Sequence, residues 1–299
     1  MICAHDGKHE DAAIELRPDY AEAVNNRSGA REQLRLFGDA LAAPLTRASE
    51  PHKSIYVINL GRTPGRFADF AQQNAHIHAS RFSAVDGRSI SRQDLIYRSV
   101  LASDFTYTDG ALGNALSHLA LWDMSIETNV ALTICEDDAI VNRHFVDDAE
   151  AIVNSLPEDW HFILWGWNFD SYVTFDMITD VSPAVVQFDQ SKMRMGAATF
   201  QSTRIKSRAF RLHRAFGLCC YSISPSGARA LKDLCLPLRN MNVFFPGLNC
   251  FLVNSSFDVM TSEMYPKINA FLSFPPLVIN MNDHAVSTVQ RQELAAIPA

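Results

Sequence analysis

From residue 55 onward, short apolar runs alternate with longer amphipathic ones, and few folds accept that rhythm. The apolar runs are IYVINL (55–60), RFSAVD (81–86), ALTIC (131–135), HFILWG (161–166), LCCYSIS (218–224) and PLVINM (276–281). Between them, apolar residues at helical spacing predict helices over about 65–79, 91–99, 111–128, 144–155, 225–236 and 257–265. Ser224 before Pro225, and Ser256, mark two helix starts. A serine can accept from a free N–H of the first turn, and proline has no N–H there to lose. Near-continuous apolar strands separated by helices predict an α/β layer fold with a mainly parallel sheet covered on both faces. Ligands in such folds bind beyond the carboxyl ends of the strands, which says where chemistry belongs.

Residues 10–43 read differently. The segment is rich in Ala, Leu, Glu and Arg, with Pro18 and Asp19 suited to a helix start. It resembles a tetratricopeptide repeat, the tail of one unit (AAIELRPDY) followed by the paired helices of the next. Ser28 and Arg31 depart from that pattern, where a small packing glycine and a large apolar residue are usual. Such units need about three or more copies to bury their faces. Starting in mid-unit, the chain reads as the downstream end of a longer repeat-bearing protein, with helices that could recruit a protein partner. The alternative is an amphipathic helical pair docked on the main domain. PLTRASEP (44–51) has the composition of a linker. The expected division is a helical segment over 1–43, a linker over 44–52 and one large domain over 53–299.

Bulk charge narrows the function. A formal charge of −7 argues against a nucleic-acid binder. One stretch is basic: Lys192, Arg194, Arg204, Lys206, Arg208, Arg211 and Arg214 lie between Asp189 and Asp233 with no acid among them. That run suits either an anionic partner or an ordinary solvated loop. The six cysteines (Cys3, Cys135, Cys219, Cys220, Cys235 and Cys250) form no CxxC pair and read as buried free thiols of a reducing compartment. With no signal-peptide layout and no apolar run near ~18 residues, a cytoplasmic protein is expected, with room for peripheral contact at the inner membrane face.

The run ALTIC leads directly into Glu136-Asp137-Asp138. Adjacent carboxylates beyond a buried strand repel one another and each demands water. A hard divalent cation such as Mg²⁺ or Mn²⁺ resolves the conflict, and such ions bind through one or two carboxylates plus substrate phosphates. The competing reading is an acid cluster favoured by a helix N-terminus. In the preceding helix Asn114, Ser117 and His118 share one face by their i, i+3, i+4 spacing, either turned to a ligand or holding a capped core histidine. Trp165 and Trp167 beyond the fourth apolar run could form a flat surface for a sugar ring or pack in the core.

The segments YVINLGRTPGRFADF (56–70), AVDG (84–87), GALGNALSHLALW (110–122) and CEDDA (135–139) resemble, in order, glycosyltransferase family 25. WHFILWG (160–166), FGLCCYSISPSGARAL (216–231) and FDVMTSEMY (257–265) continue the resemblance, which spans about 53–290. That family includes bacterial lipooligosaccharide galactosyltransferases and collagen galactosyltransferases. The resemblance implies a nucleotide-sugar-binding fold of the glycosyltransferase-A type and Mn²⁺-assisted transfer with inversion. By the same resemblance Asp138 binds the metal, while Glu136 or Asp137 holds ribose or a metal-bound water. Ser117-His118 match the family's serine–histidine pair. Arg62 and Arg66 match its basic residues after the first strand, where a planar guanidinium suits phosphate. Asp86 would hold the ribose or base. Gly61 stands where the family usually has an acid, which would alter donor preference.

Inverting transfer needs a general base for the acceptor hydroxyl. Asp258 is the first candidate and Glu263 the reserve, while His284 reads as a late metal or phosphate contact or as a surface histidine. A uridine diphosphate sugar donor, a hexose such as galactose, and a glycan or lipid-linked acceptor are what the resemblance implies. The rival readings are a catalytically silent scaffold and a metal-dependent phosphohydrolase. The second would usually bring several paired His and Asp ligands for two metals.

Overall fold

The computed structural model describes residues 51–246 and 249–280. The tetratricopeptide-like segment over 1–43, Cys3 and His284 lie outside the described residues.

A short 3₁₀ turn at Pro51–Lys53 leads into β1 (Ile55–Asn59), then α1 (Pro64–Gln73), β2 (Ala79–Ser83), α2 (Arg92–Tyr97) and the long α3 (Asp109–Thr128). Next come β3 (Leu132–Glu136), β4 (Ala139–Val141), α4 (Phe145–Ser155) and β5 (Phe162–Gly166). The hairpin β6 (Tyr172–Ile178) and β7 (Ser182–Gln187) precedes α5 (Gln190–Met195), α6 (Ala197–Ser202) and β8 (Arg208–Arg214). The chain continues through β9 (Cys220–Ile223), α7 (Pro225–Cys235), β10 (Asn242–Phe245) and β11 (Cys250–Val253). It closes with α8 (Phe257–Met264), β12 (Ala270–Phe274) and β13 (Val278–Asn280).

Nine strands form one sheet in the order β2-β1-β3-β9-β5-β12-β8-β6-β7. β1 runs parallel to β2 and β3, and β12 parallel to β5. The other contacts are antiparallel: β9 against both β3 and β5, β8 against β12 and β6, and β6 against β7. The α/β layering therefore holds, but the expected mainly parallel sheet is corrected to a mixed one. The reason is local. The turn at 179–181, with Asp180 at φ 58°, is too short for a crossover, so it can only join antiparallel neighbours. β9, inserted between β3 and β5, runs against both and inverts the direction at the centre of the sheet. The run at 276–281 does form a strand, β13, but it pairs with β4 in a separate two-stranded ribbon.

Every residue of β1 and β5 is buried, as are the first four of β3, which explains their unbroken apolar sequences. α3 begins where Thr108 Oγ1 accepts from the Ala111 N–H at 3.1 Å and ends on Asn129 in the left-handed region (φ 54°). β2 sits earlier than the apolar run at 81–86 suggests, because residues 84–87 leave the sheet to dock on α3. There the Val85 N–H donates to Ser117 Oγ at 2.9 Å, and Ser117 Oγ donates to the Gly113 carbonyl at 2.7 Å. Gly87 lies so close to α3 that a Cβ would fall 1.9 Å from the Asp109 carbonyl oxygen, and one on Gly113 would fall 2.5 Å from the Val85 carbonyl.

That contact predicts a sharp contrast between two glycines. Gly87→Ala should cost about 1–3 kcal/mol in urea unfolding through overpacking. Gly61→Ala, with nothing within 4 Å of the added Cβ, should stay within about 0.5 kcal/mol of wild type.

Candidate functional site

Beyond the carboxyl ends of β1 and β3, the acidic triplet is held from several sides. The Glu136 N–H donates to the Cys219 carbonyl at 2.9 Å, seating the strand end against the segment that leads into β9. Asp137 carries the tightest set of contacts. Its Oδ1 accepts from Arg66 Nε at 2.8 Å and also from Arg66 Nη2, and its Oδ2 accepts from Asn59 Nδ2 at 2.7 Å. Asn59 is buried at the end of β1, and its own Oδ1 accepts from Arg81 Nε at 2.8 Å. Arg66 is thus committed to a carboxylate, and the surrounding acids raise its already high pKa, chiefly through the Asp137 hydrogen bond.

The other two acids differ in kind. Glu136 is pushed up to about 8, mainly by burial and then by Asp138 and Asp258, although Asn114 Nδ2 donates to its Oε1 at 3.3 Å. Asp138 is likewise raised by burial, against the pull of Arg66, and its Oδ1 is buried with no hydrogen-bond partner. A bare carboxylate oxygen of this kind is what a cation ligand looks like without its cation. Among the described residues no group of three or more His, Cys, Asp or Glu side chains is placed to hold a metal. An ion held here would therefore have to draw most of its shell from substrate phosphate and water, with one or two carboxylates from the protein.

Asp258, in the first turn of α8, comes to the same place from a distant part of the sequence. Its Oδ2 accepts from the Gly217 N–H at 2.7 Å and its Oδ1 from Ser256 Oγ. Gly217 adopts φ +83°, which favours glycine and aims that N–H. Asp258 is near enough to Glu136 to raise its pKa. A second cluster lies one strand away, after β2. Asp86 is gripped by Arg88 through Nε at 3.0 Å and Nη2 at 2.6 Å, with Arg62 Nε at 3.7 Å. Arg88 holds the Asp86 carboxyl below its usual range.

Several candidates lie elsewhere. His118 is fully buried in the core, its Nδ1 2.9 Å from the Tyr221 hydroxyl and its ring stacked on Phe257. That Nδ1 partner is a side-chain hydroxyl and not backbone, and Nε2 is buried with no hydrogen-bond partner among the described residues. Ser117 is equally buried and anchors the 84–87 loop. Both residues are enclosed because α3 packs against α7 and α8. Glu263 pairs with Arg214 at 2.8 Å and with Lys267 at 3.7 Å. Trp165 and Trp167 are core residues too. Trp165 Nε1 donates to Ser222 Oγ at 2.7 Å, and Trp167 stacks on Phe188 at 6.0 Å. The basic stretch is dispersed, with Arg204 on Asp148, Arg214 on Glu263 and Lys192 on Asp189. Asn59, which joins β1 to Asp137, carried no sequence signal beyond its place at a strand end.

Residues 52–243 match the family described as glycosyltransferase family 25 (LPS biosynthesis protein). The chain belongs to this family and is a glycosyltransferase, with a sugar donor and an acceptor as its substrates. The sequence has no significant match among curated proteins. Among the described residues no helix is long and apolar enough to cross a membrane.

Burial pushes the His118 pKa down to about 3, whereas an unfolded chain binds that proton near ~6.5. Between those values only the unfolded state takes up the proton, so the stability His118 contributes falls as pH drops below ~6.5. The stability deficit of His118→Gln against wild type should therefore shrink, by up to about 1.4 kcal/mol per pH unit, in urea melts between roughly pH 6 and 4. A pH-independent deficit would mean that the folded state holds the imidazole charged.

Proposed function

We propose that the protein transfers a hexose, in the first instance galactose, from a uridine diphosphate sugar to a hydroxyl of a glycan or lipid-linked acceptor. The reaction proceeds with inversion and with Mn²⁺, or Mg²⁺, at Asp138. The observation that carries this reading is the unpartnered buried oxygen of Asp138, set beside Glu136 and Asp258 beyond β3 in a chain of this family. A lipid-linked acceptor suits action at the cytoplasmic face of a membrane, in keeping with the family's description.

Each residue then has a distinct task. Asp137, locked by Arg66 and Asn59, fixes the strand end rather than binding substrate. Asp138 is the carboxylate free to hold a cation, and Glu136 lies beside it for a ribose hydroxyl or an ordered water. When bound, a divalent cation supplies Lewis-acid neutralisation of the departing diphosphate. Arg62 is half-exposed and bound only at 3.7 Å, which leaves it the guanidinium better placed for phosphate. Asp86 would have to release Arg88 before holding ribose.

Asp258 serves as the base. The Gly217 N–H and Ser256 hydroxyl orient its carboxylate, and an ionised carboxylate keeps spare acceptor sites after two hydrogen bonds. The acceptor oxygen forms its bond to the anomeric carbon as the bond from that carbon to the diphosphate oxygen breaks, and the hydroxyl proton passes to Asp258.

Two substitutions separate these roles in a transfer assay on the full chain. Asp138→Asn should lower Mn²⁺-dependent turnover by about 100-fold or more and remove the donor's Mn²⁺-dependent thermal shift. Asp258→Asn should keep the donor's thermal shift while kcat falls about 10²–10⁴-fold. Unchanged turnover in Asp258→Asn would rule it out as the base.

A further inference from the structure

Arg81 is held at one end and open at the other. Its Nε donates to Asn59 Oδ1 at 2.8 Å. The orientation of that amide is forced, because Asn59 Nδ2 sits between two acceptors, the Thr63 carbonyl at 3.0 Å and Asp137 Oδ2 at 2.7 Å. Its oxygen end is therefore the one that faces Arg81. The ladder also sets the direction of the arginine side chain. β1 and β2 run parallel, with Arg81 opposite Val57 and Ser83 opposite Asn59. Arg81 is thus rooted short of its partner and reaches forward to the carboxyl end of the sheet, where ligands of such folds bind. The triplet stands at that end, and the hydrogen bonds from Arg81 to Asn59 and from Asn59 to Asp137 join this guanidinium to the residue beside Asp138.

With Nε occupied, the two Nη groups at the tip of the fork keep their N–H donors, and nothing among the described residues accepts from them or pairs a carboxylate with them. The arginines around it in sequence differ. Arg62 and Arg88 face Asp86, Arg66 is paired with Asp137, and Arg92 with Asp109. Arg81 is partly buried, and a guanidinium drawn partly out of water without a counter-charge is costly. An anion at the tip removes that cost. The planar N–H pair matches two phosphate oxygens at once, which an ammonium does not. A diphosphate brought to Glu136, Asp137 and Asp138 also meets like charge, and a free guanidinium beside the triplet offsets that repulsion. We propose that Arg81, oriented by Asn59, binds the diphosphate of the nucleotide-sugar donor alongside Arg62. This inference rests on the uridine diphosphate donor proposed above.

Calorimetric affinities of the full chain for uridine diphosphate and for uridine, with Mn²⁺ in excess throughout, separate a phosphate contact from support of the fold. Arg81→Gln should weaken uridine diphosphate binding about ten-fold or more, while uridine binding stays within about two-fold of wild type. Arg81→Lys, which restores the charge without the planar fork, should fall between that variant and wild type, and it carries the test should glutamine fail to fold. If the substitution weakens both ligands equally, Arg81 acts only through Asn59 and the strand end, and the proposal is overturned. Unchanged affinity for uridine diphosphate overturns it too, with the donor reading left standing. If the wild-type chain binds uridine diphosphate no more tightly than uridine, the donor reading itself fails and the role of Arg81 falls with it.

Discussion

Three consecutive carboxylates at the end of a buried strand repel one another, and the fold tolerates them because Arg66 neutralises the middle one. That pairing is closed on its other side by Asn59, so Asp137 receives N–H donors on both oxygens. The consequence spreads outward. Arg66 belongs to α1 and Asn59 to β1, so the ion pair ties the first helix and the first strand to the end of β3. With Asp137 spoken for, its two neighbours are left as the acids with unmet demands. Removing one partner from a partly buried pair of this kind costs far more than the pair contributes, because it strands a charge away from water.

The strands that the sequence announced most clearly are those buried on both faces: β1, β3, β5 and β9 appear as unbroken apolar runs. The helices with polar starts, α3 and α7, were equally legible, since a threonine or serine side chain does the capping. β6, β7 and β8 were not. They lie toward one margin of the sheet, where exposed Met177, Ile178 and Val185 alternate irregularly with polar residues. β12 is as long as β1 but less evenly covered, with Phe271 and Phe274 only partly buried and Ser273 interrupting its apolar run. Strand direction was illegible for a different reason: apolar runs report burial, and the inverted central strand β9 is as buried as β3 and β5, which run against it.

The site shows the same division. Adjacent acids after a strand were visible because that pattern is costly. The surroundings of Ser117-His118 could not be read, because helical spacing shows which residues share a face, not what covers it, and α3 is covered almost all round. Asn59 could not be found by pattern, because it is a single amide whose role comes only from what the sheet brings beside it. Asp258 was found by resemblance, yet its link to Glu136 depends on the backbone at Gly217, some forty positions upstream.

β12 lies between β5 and β8, in the interior of the sheet, yet it and Asp258 both fall after residue 243, where the family match ends. A fragment drawn at that boundary would keep the triplet but leave two interior strands with open edges, the kind of surface that pairs with neighbouring chains. The chain therefore cannot be divided into a donor module and an acceptor module for swapping between relatives. Its smallest exchangeable unit is the whole nine-stranded sheet.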